Sequence, residues 1–148
     1  MKILIISPGK NHETYVSEGV QEFTSRISRY APVEWKLIPT GKDAKEEGAA
    51  ILKAVADKDH VILLDERGKE LSSVGLSQFL EKRLNESVQR LVFVIGGAYG
   101  VSEEVKTRAQ FTWSLSKLVF PHQLVRLLLS EQLYRAFSIL RGEKYHHQ

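Results

Sequence analysis

Short apolar runs alternate along this chain with longer segments whose apolar residues recur every three or four positions. No other feature constrains the fold as much, because a period of two belongs to strands and one of about 3.6 to helices. Lys2 to Ile6 is a short apolar run, and Asn11 to Tyr30 carries Val16, Val20, Phe23, Ile27 and Tyr30 on one helical stripe. Val33 to Ile38 reads as a strand between Pro32 and Pro39. Asp43 and Glu46 are spaced as a capping pair for a helix to about Ala56. His60 to Leu64 is a β-rich run, followed by a helix capped at Ser73 with Leu76, Phe79, Leu80 and Leu84 inward. Arg90 to Ile95 is apolar enough for a strand covered on both faces. Ser102 suits the cap of a short helix to Ala109, and Phe111, Trp113 and Leu115 alternate as a strand. Pro121 suits the first turn of a long helix to about Leu140, ended by Gly142.

Five strands interleaved with five helices predict an α/β domain with a mostly parallel sheet. At 148 residues the chain has room for one domain, spanning 1–148. Ligands in such sheets bind beyond the carboxyl ends of the strands, where connections diverge. That rule selects three segments: after Leu64, after Ile95, and between Leu115 and Pro121.

Cysteine is absent, so disulfides and thiolate metal sites are excluded and a reducing cytoplasm is compatible. The stretch Met1 to Ile6 before the Ser7-Pro8-Gly9 turn signal is too short for a signal peptide or a membrane span. His12 and His60 lack metal-ligand spacing with each other or with the tail, so no metal is expected. The net charge of +3 lies wholly in the last quarter, where Phe111 to Gln148 hold five Lys/Arg and two acids. A basic end suits a polyanion such as RNA, and equally a solvated helix face.

Gly96-Gly97-Ala98-Tyr99-Gly100 follows the buried strand. Its glycines would let a nucleoside approach the backbone, or simply make a strand-to-helix turn. It is G-G-x-x-G rather than G-x-G-x-x-G, and Lys117 stands where a dinucleotide fold needs an acid. Gly100 is followed by Val101 and Ser102, not by the Lys-Ser/Thr of a phosphate loop. The run Leu115-Ser116-Lys117-Leu118-Val119-Phe120 passes from a strand into a helix. It could read an adenine edge with main-chain groups, or be a buried connection.

The ordered set Ile95-Gly96-Gly97 with Gly100, Ser114 to Lys117, Phe120-Pro121-His122-Gln123-Leu124-Val125-Arg126, Glu131-Gln132 with Tyr134-Arg135-Ala136, and Tyr145-His146-His147 resembles the RlmH family of SPOUT RNA methyltransferases. Leu64 to Lys69 and Ser7 to Lys10 resemble earlier segments of the same family, the amino-terminal match being looser. The resemblance implies a SPOUT-type α/β knot, with a deep trefoil knot in a cofactor-binding half at about 60–148. It implies S-adenosylmethionine as cofactor, contacted by Leu64, Gly96 and the run Leu115, Ser116, Lys117, Leu118, Val119 and Phe120. It also implies a cytoplasmic homodimer with a shared active site that methylates N3 of a pseudouridine in 23S rRNA within the ribosome.

An imide N3 must lose its proton before attacking an electrophilic methyl, so a base or charge-stabilising cations are needed. The catalytic candidates are His122, Arg126, Tyr145 and His146. His122 starts the last helix and Arg126 is one turn on, where it could hold a phosphate or a uracil carbonyl, or join an ion pair. Arg135 is four residues after Glu131, the spacing of an intrahelical ion pair. His146 could act as base or as substrate clamp. Asp65 and Glu66 could touch ribose or substrate, or form a strand-end turn. The breadth of the apolar face from Leu124 to Leu140 suits core packing on one side and a subunit interface on another. Rival readings are a SPOUT enzyme for another RNA such as tRNA, separable by assays on each RNA, and a non-catalytic ribosome-binding protein, which would not bind the cofactor.

Overall fold

The computed structural model describes residues 1–147. Strands β1 (Lys2–Pro8), β2 (Val33–Ile38), β3 (His60–Glu70), β4 (Arg90–Ile95) and β5 (Phe111–Ser114) alternate with helices α1 (Thr14–Ile27), α2 (Ala44–Lys53), α3 (Ser73–Asn85), α4 (Glu103–Arg108) and α5 (His122–Leu140). They build one sheet in the order β2-β1-β4-β3-β5. Every pairing is parallel, so the sheet is more uniform than the alternation of segments required.

Side-chain alternation sorts the strand residues between two cores. Ile3, Ile5, Ile62, Leu91 and Phe93 face Leu76 and Leu80 of α3 and Leu129 and Leu133 of α5. Leu4, Ile6, Val61, Leu63, Val92 and Val94 face Ile51 of α2 and Val105 of α4. Both faces of β1, β3 and β4 are therefore dry, which explains their continuous apolar runs. Burying each such side chain contributes about 1.5–3 kcal/mol against the chain entropy.

Helix starts follow local chemistry. The Asp43 carboxylate accepts from Glu46 N–H at 2.8 Å, and Ser102 Oγ accepts from Val105 N–H at 3.3 Å. The cap of α3 is Ser72, one residue before the expected Ser73; its Oγ accepts from Gly75 N–H at 2.9 Å. Either hydroxyl could serve by sequence, and Ser73 Oγ is taken by Gln132 Oε1 at 2.7 Å.

The largest departure is at β3, which continues six residues past Leu64. Leu64 and Lys69 both pair with Trp113, so residues 65–68 form a bulge. Gly68 permits it, because a Cβ there would lie 2.6 Å from Thr112 O. Bulges re-aim side chains beside binding sites, and this one carries Asp65 and Glu66.

Candidate functional site

The three strand-end segments converge. Leu64, Asp65 and Glu66 from the β3 bulge, Ile95 to Ala98 with Gly100 and Val101 after β4, and Leu115, Ser116, Leu118, Val119 and Phe120 after β5 line one cavity of about 450 Å³. Pro121, His122 and Val125 close it from the start of α5. That volume lies within the ~300–1,000 Å³ of small-molecule sites, and the lining is mostly apolar with a few polar groups, as such sites are. Of the expected cofactor residues, all but Lys117 line the cavity; Lys117 is exposed on the loop between them.

The segment after β5 holds itself in shape. Ser114 Oγ donates to Ser116 O at 2.7 Å, and Ser116 Oγ accepts from Leu118 N–H at 3.0 Å. These bonds turn the chain before α5 and leave Leu118 and Val119 68% and 77% exposed at the cavity rim. Large exposed apolar groups at a pocket mouth are suited to cover an apolar ligand. Asp65 is half-satisfied from within, since Arg67 N–H and Nη2 donate to it at 2.8 and 3.0 Å. Those bonds hold its carboxyl below the ordinary range.

His122 lines the cavity, as expected of a residue at the start of α5. Burial pushes its imidazole below the ordinary value, and Arg126 pushes the same way, while Glu13 and Glu47 oppose. Both effects favour the neutral form of the ring.

Arg126 is placed differently from its expected role. It is fully buried and does not line the cavity. Its Nε donates to Ser7 Oγ at 3.0 Å, Nη1 to Asn11 O at 2.9 Å, and Nη2 to Pro8 O at 2.7 Å and Gly9 O at 3.1 Å. Nη1 also meets His12 Nδ1 at 3.2 Å. Neighbouring Gln123 accepts from Glu13 N–H at 2.9 Å and donates to Asn11 O at 3.1 Å. Together they tie the β1–α1 connection to the first turns of α5, next to His122. The periodicity carried a signal for this: Arg126 shares a stripe with Leu129, Ser130 and Leu133, all buried.

Glu47 was not picked out by sequence. It is 2% exposed, its Oε2 accepts from Gly41 N–H at 3.1 Å, and its Oε1 has no partner among the described residues. A Cβ on Gly97 would fall 2.8 Å from that oxygen, so the carboxylate lies directly behind the glycine loop.

Tyr145 and His146 do not line the cavity of their own chain. They pack on α5, where Tyr145 OH donates to Glu131 Oε2 at 2.8 Å and Arg135 Nη1 meets His146 Nδ1 at 3.1 Å. The expected Glu131–Arg135 pair is present, with Nη2 to Oε2 at 2.7 Å. The basic excess of the last quarter is therefore partly internal: Arg126 is buried and Arg135 paired, leaving Lys117, Arg141 and Lys144 exposed. His12 stacks edge-on to Trp35 and His60 to Phe79, each in packed surroundings. Among the described residues no three His, Asp or Glu are grouped to hold a metal, and no helix is long and apolar enough to cross a membrane.

Comparison with known proteins identifies the family. Residues 1–146 match the family model described as "Predicted SPOUT methyltransferase". The chain is 43%, 44% and 45% identical, over 157 aligned residues, to proteins named ribosomal RNA large subunit methyltransferase H from Christiangramia forsetii, Parabacteroides distasonis and Flavobacterium johnsoniae. For all three the match covers 100% of both chains. A match to the family model over nearly the whole chain, with relatives this similar along their full length, establishes that the chain belongs to the SPOUT methyltransferase family.

Proposed function

We propose that this protein is a large-subunit rRNA methyltransferase that uses S-adenosylmethionine to methylate N3 of a pseudouridine in 23S rRNA within the ribosome. The observation that carries the reading is the convergence of three strand-end segments on a single cavity of suitable size. Its walls fit the cofactor: Leu64, Leu115, Leu118 and Phe120 offer apolar faces for an adenine, and the Gly96–Gly97 turn keeps side chains out of the way of main-chain contacts. When bound, S-adenosylmethionine supplies an electrophilic methyl group on a sulfonium sulfur.

The chain's own residues hold the nucleobase in line and accept its proton. His122 stands at the cavity wall, where its imidazole would take the imide proton. Arg126 acts through the β1–α1 connection, which it holds beside His122. Tyr145 and His146 serve the cavity of a second copy in a cytoplasmic homodimer, consistent with their lying outside their own. The carboxyl-terminal half, from about residue 60, is threaded as a trefoil knot; the placement of β3 between β4 and β5 supports that path.

Methyl-transfer assays on intact ribosomes, free rRNA and tRNA, followed by mass-spectrometric mapping, test the reading. The expected product is one methylated pseudouridine in 23S rRNA from ribosomes. Methylation of tRNA alone would replace the substrate, and the absence of calorimetric heat with S-adenosylhomocysteine would remove the enzyme reading altogether.

A further inference from the structure

The tail of the chain is clasped rather than merely packed. Glu131 Oε2 receives three donors: Tyr145 OH at 2.8 Å, Arg135 Nη2 at 2.7 Å and Arg135 Nε at 3.1 Å. The Arg135 guanidinium lies 4.7 Å from the Tyr145 ring centre, and the Tyr145 ring meets Tyr134 edge-on at 4.6 Å. The remaining arm, Nη1, reaches His146 Nδ1 at 3.1 Å. A guanidinium has donors only and keeps its charge, so the Nδ1 it meets must be the acceptor. The ring proton then resides on Nε2, on the far side of the ring from the clasp.

We propose that Glu131 and Arg135 are positioning residues that fix His146 as a neutral hydrogen-bond donor through Nε2. In that state His146 does not take the imide proton. It donates to a uracil carbonyl, where negative charge gathers as N3 loses its proton, and so stabilises the developing anion. This deepens the proposed function, since it rests on the tail entering the substrate site of a second copy. It divides the labour: His122 accepts the proton, and His146 stabilises the charge left behind. Glu131 matters because it holds Arg135 in the orientation that occupies Nδ1, and because it tethers Tyr145 next to that ring.

Two substitutions at one position separate donor from base. In His146→Gln the amide NH₂ falls near the place of Nε2–H and can donate, yet it cannot take a proton at neutral pH. His146→Ala can do neither. Methylation of ribosomes should fall about 100-fold in His146→Ala and stay within about tenfold of the parent in His146→Gln, the difference expected for one hydrogen bond to developing charge. Glu131→Gln should lower turnover about tenfold with S-adenosylhomocysteine affinity unchanged by calorimetry. A readout independent of activity is the long-range ¹H–¹⁵N spectrum of the full-length protein. It should show His146 Nδ1 unprotonated and Nε2 protonated, in a single tautomer that gives way to a mixture in Glu131→Gln. Equal loss of activity in His146→Gln and His146→Ala, or a proton on Nδ1 in the parent protein, would overturn the proposal. A parent protein that methylates no RNA would sink the proposed function instead, and the spectrum would still judge the clasp.

Discussion

Replacing Arg126 with methionine keeps most of the side chain's volume and removes its charge and every donor. In the folded chain that guanidinium serves Ser7 Oγ and the carbonyls of Pro8, Gly9 and Asn11 from a fully buried position. Each buried acceptor left without a partner costs ~1–3 kcal/mol. Two terms reduce the sum. The β1–α1 connection borders solvent at Gly9 to Asn11, so water can reach part of the set. The buried charge, whose proton affinity is lowered by desolvation, also no longer has to be kept out of water. A net loss of about 3–4 kcal/mol follows, a large share of the ~5–15 kcal/mol of a typical domain. For a chain near this length that lowers Tm by roughly 10 °C. Circular dichroism melts at matched protein concentration measure it. Arg126→Lys should recover only part, because one ammonium cannot fork to four acceptors. A methionine variant that melts with the parent but no longer binds rRNA would show that Arg126 reaches the ligand, and the structural argument would fail.

Other outcomes follow from the same geometry. Gly97→Ala puts a Cβ 2.8 Å from Glu47 Oε1 and 3.2 Å from Pro8 Cβ, so the glycine turn must move; S-adenosylhomocysteine affinity should drop at least tenfold, about 1.4 kcal/mol, by calorimetry. Leu118→Ser removes a side chain that is 68% exposed, so stability should shift by less than about 0.5 kcal/mol while cofactor affinity falls about fivefold. Burial holds His12, His60 and His122 below their ordinary value of 6.5. The unfolded chain therefore binds more protons below that value, and stability should be full above it and decline as pH falls from about 6.5. Urea unfolding across that window checks the slope, which should be shallower in His122→Gln.

The elements were legible because their cause is local. The apolar runs of β1 and β4, the stripe of α1, and the caps at Asp43 and Ser102 depend on neighbours within a few residues, and every element except β3 lies within a few residues of its expected bounds. The cavity was legible for a related reason: strands in a parallel sheet point the same way, so the segments after Leu64, Ile95 and Leu115 had to emerge on one edge. The strand order, the bulge at 65–68 and the buried state of Arg126 rest on partners up to about 120 positions away, and no periodicity states which strand lies beside which. Glu47 shows the limit most clearly. As a sequence letter it is an ordinary acid in the first turn of α2; only when β1 and β4 pair and bring Pro8 and Gly97 over it does it become a buried carboxylate behind the glycine turn. Local chemistry thus determined which segments the chain is made of and where a ligand could enter, and long-range pairing decided which side chains face that ligand and which hold the walls in place.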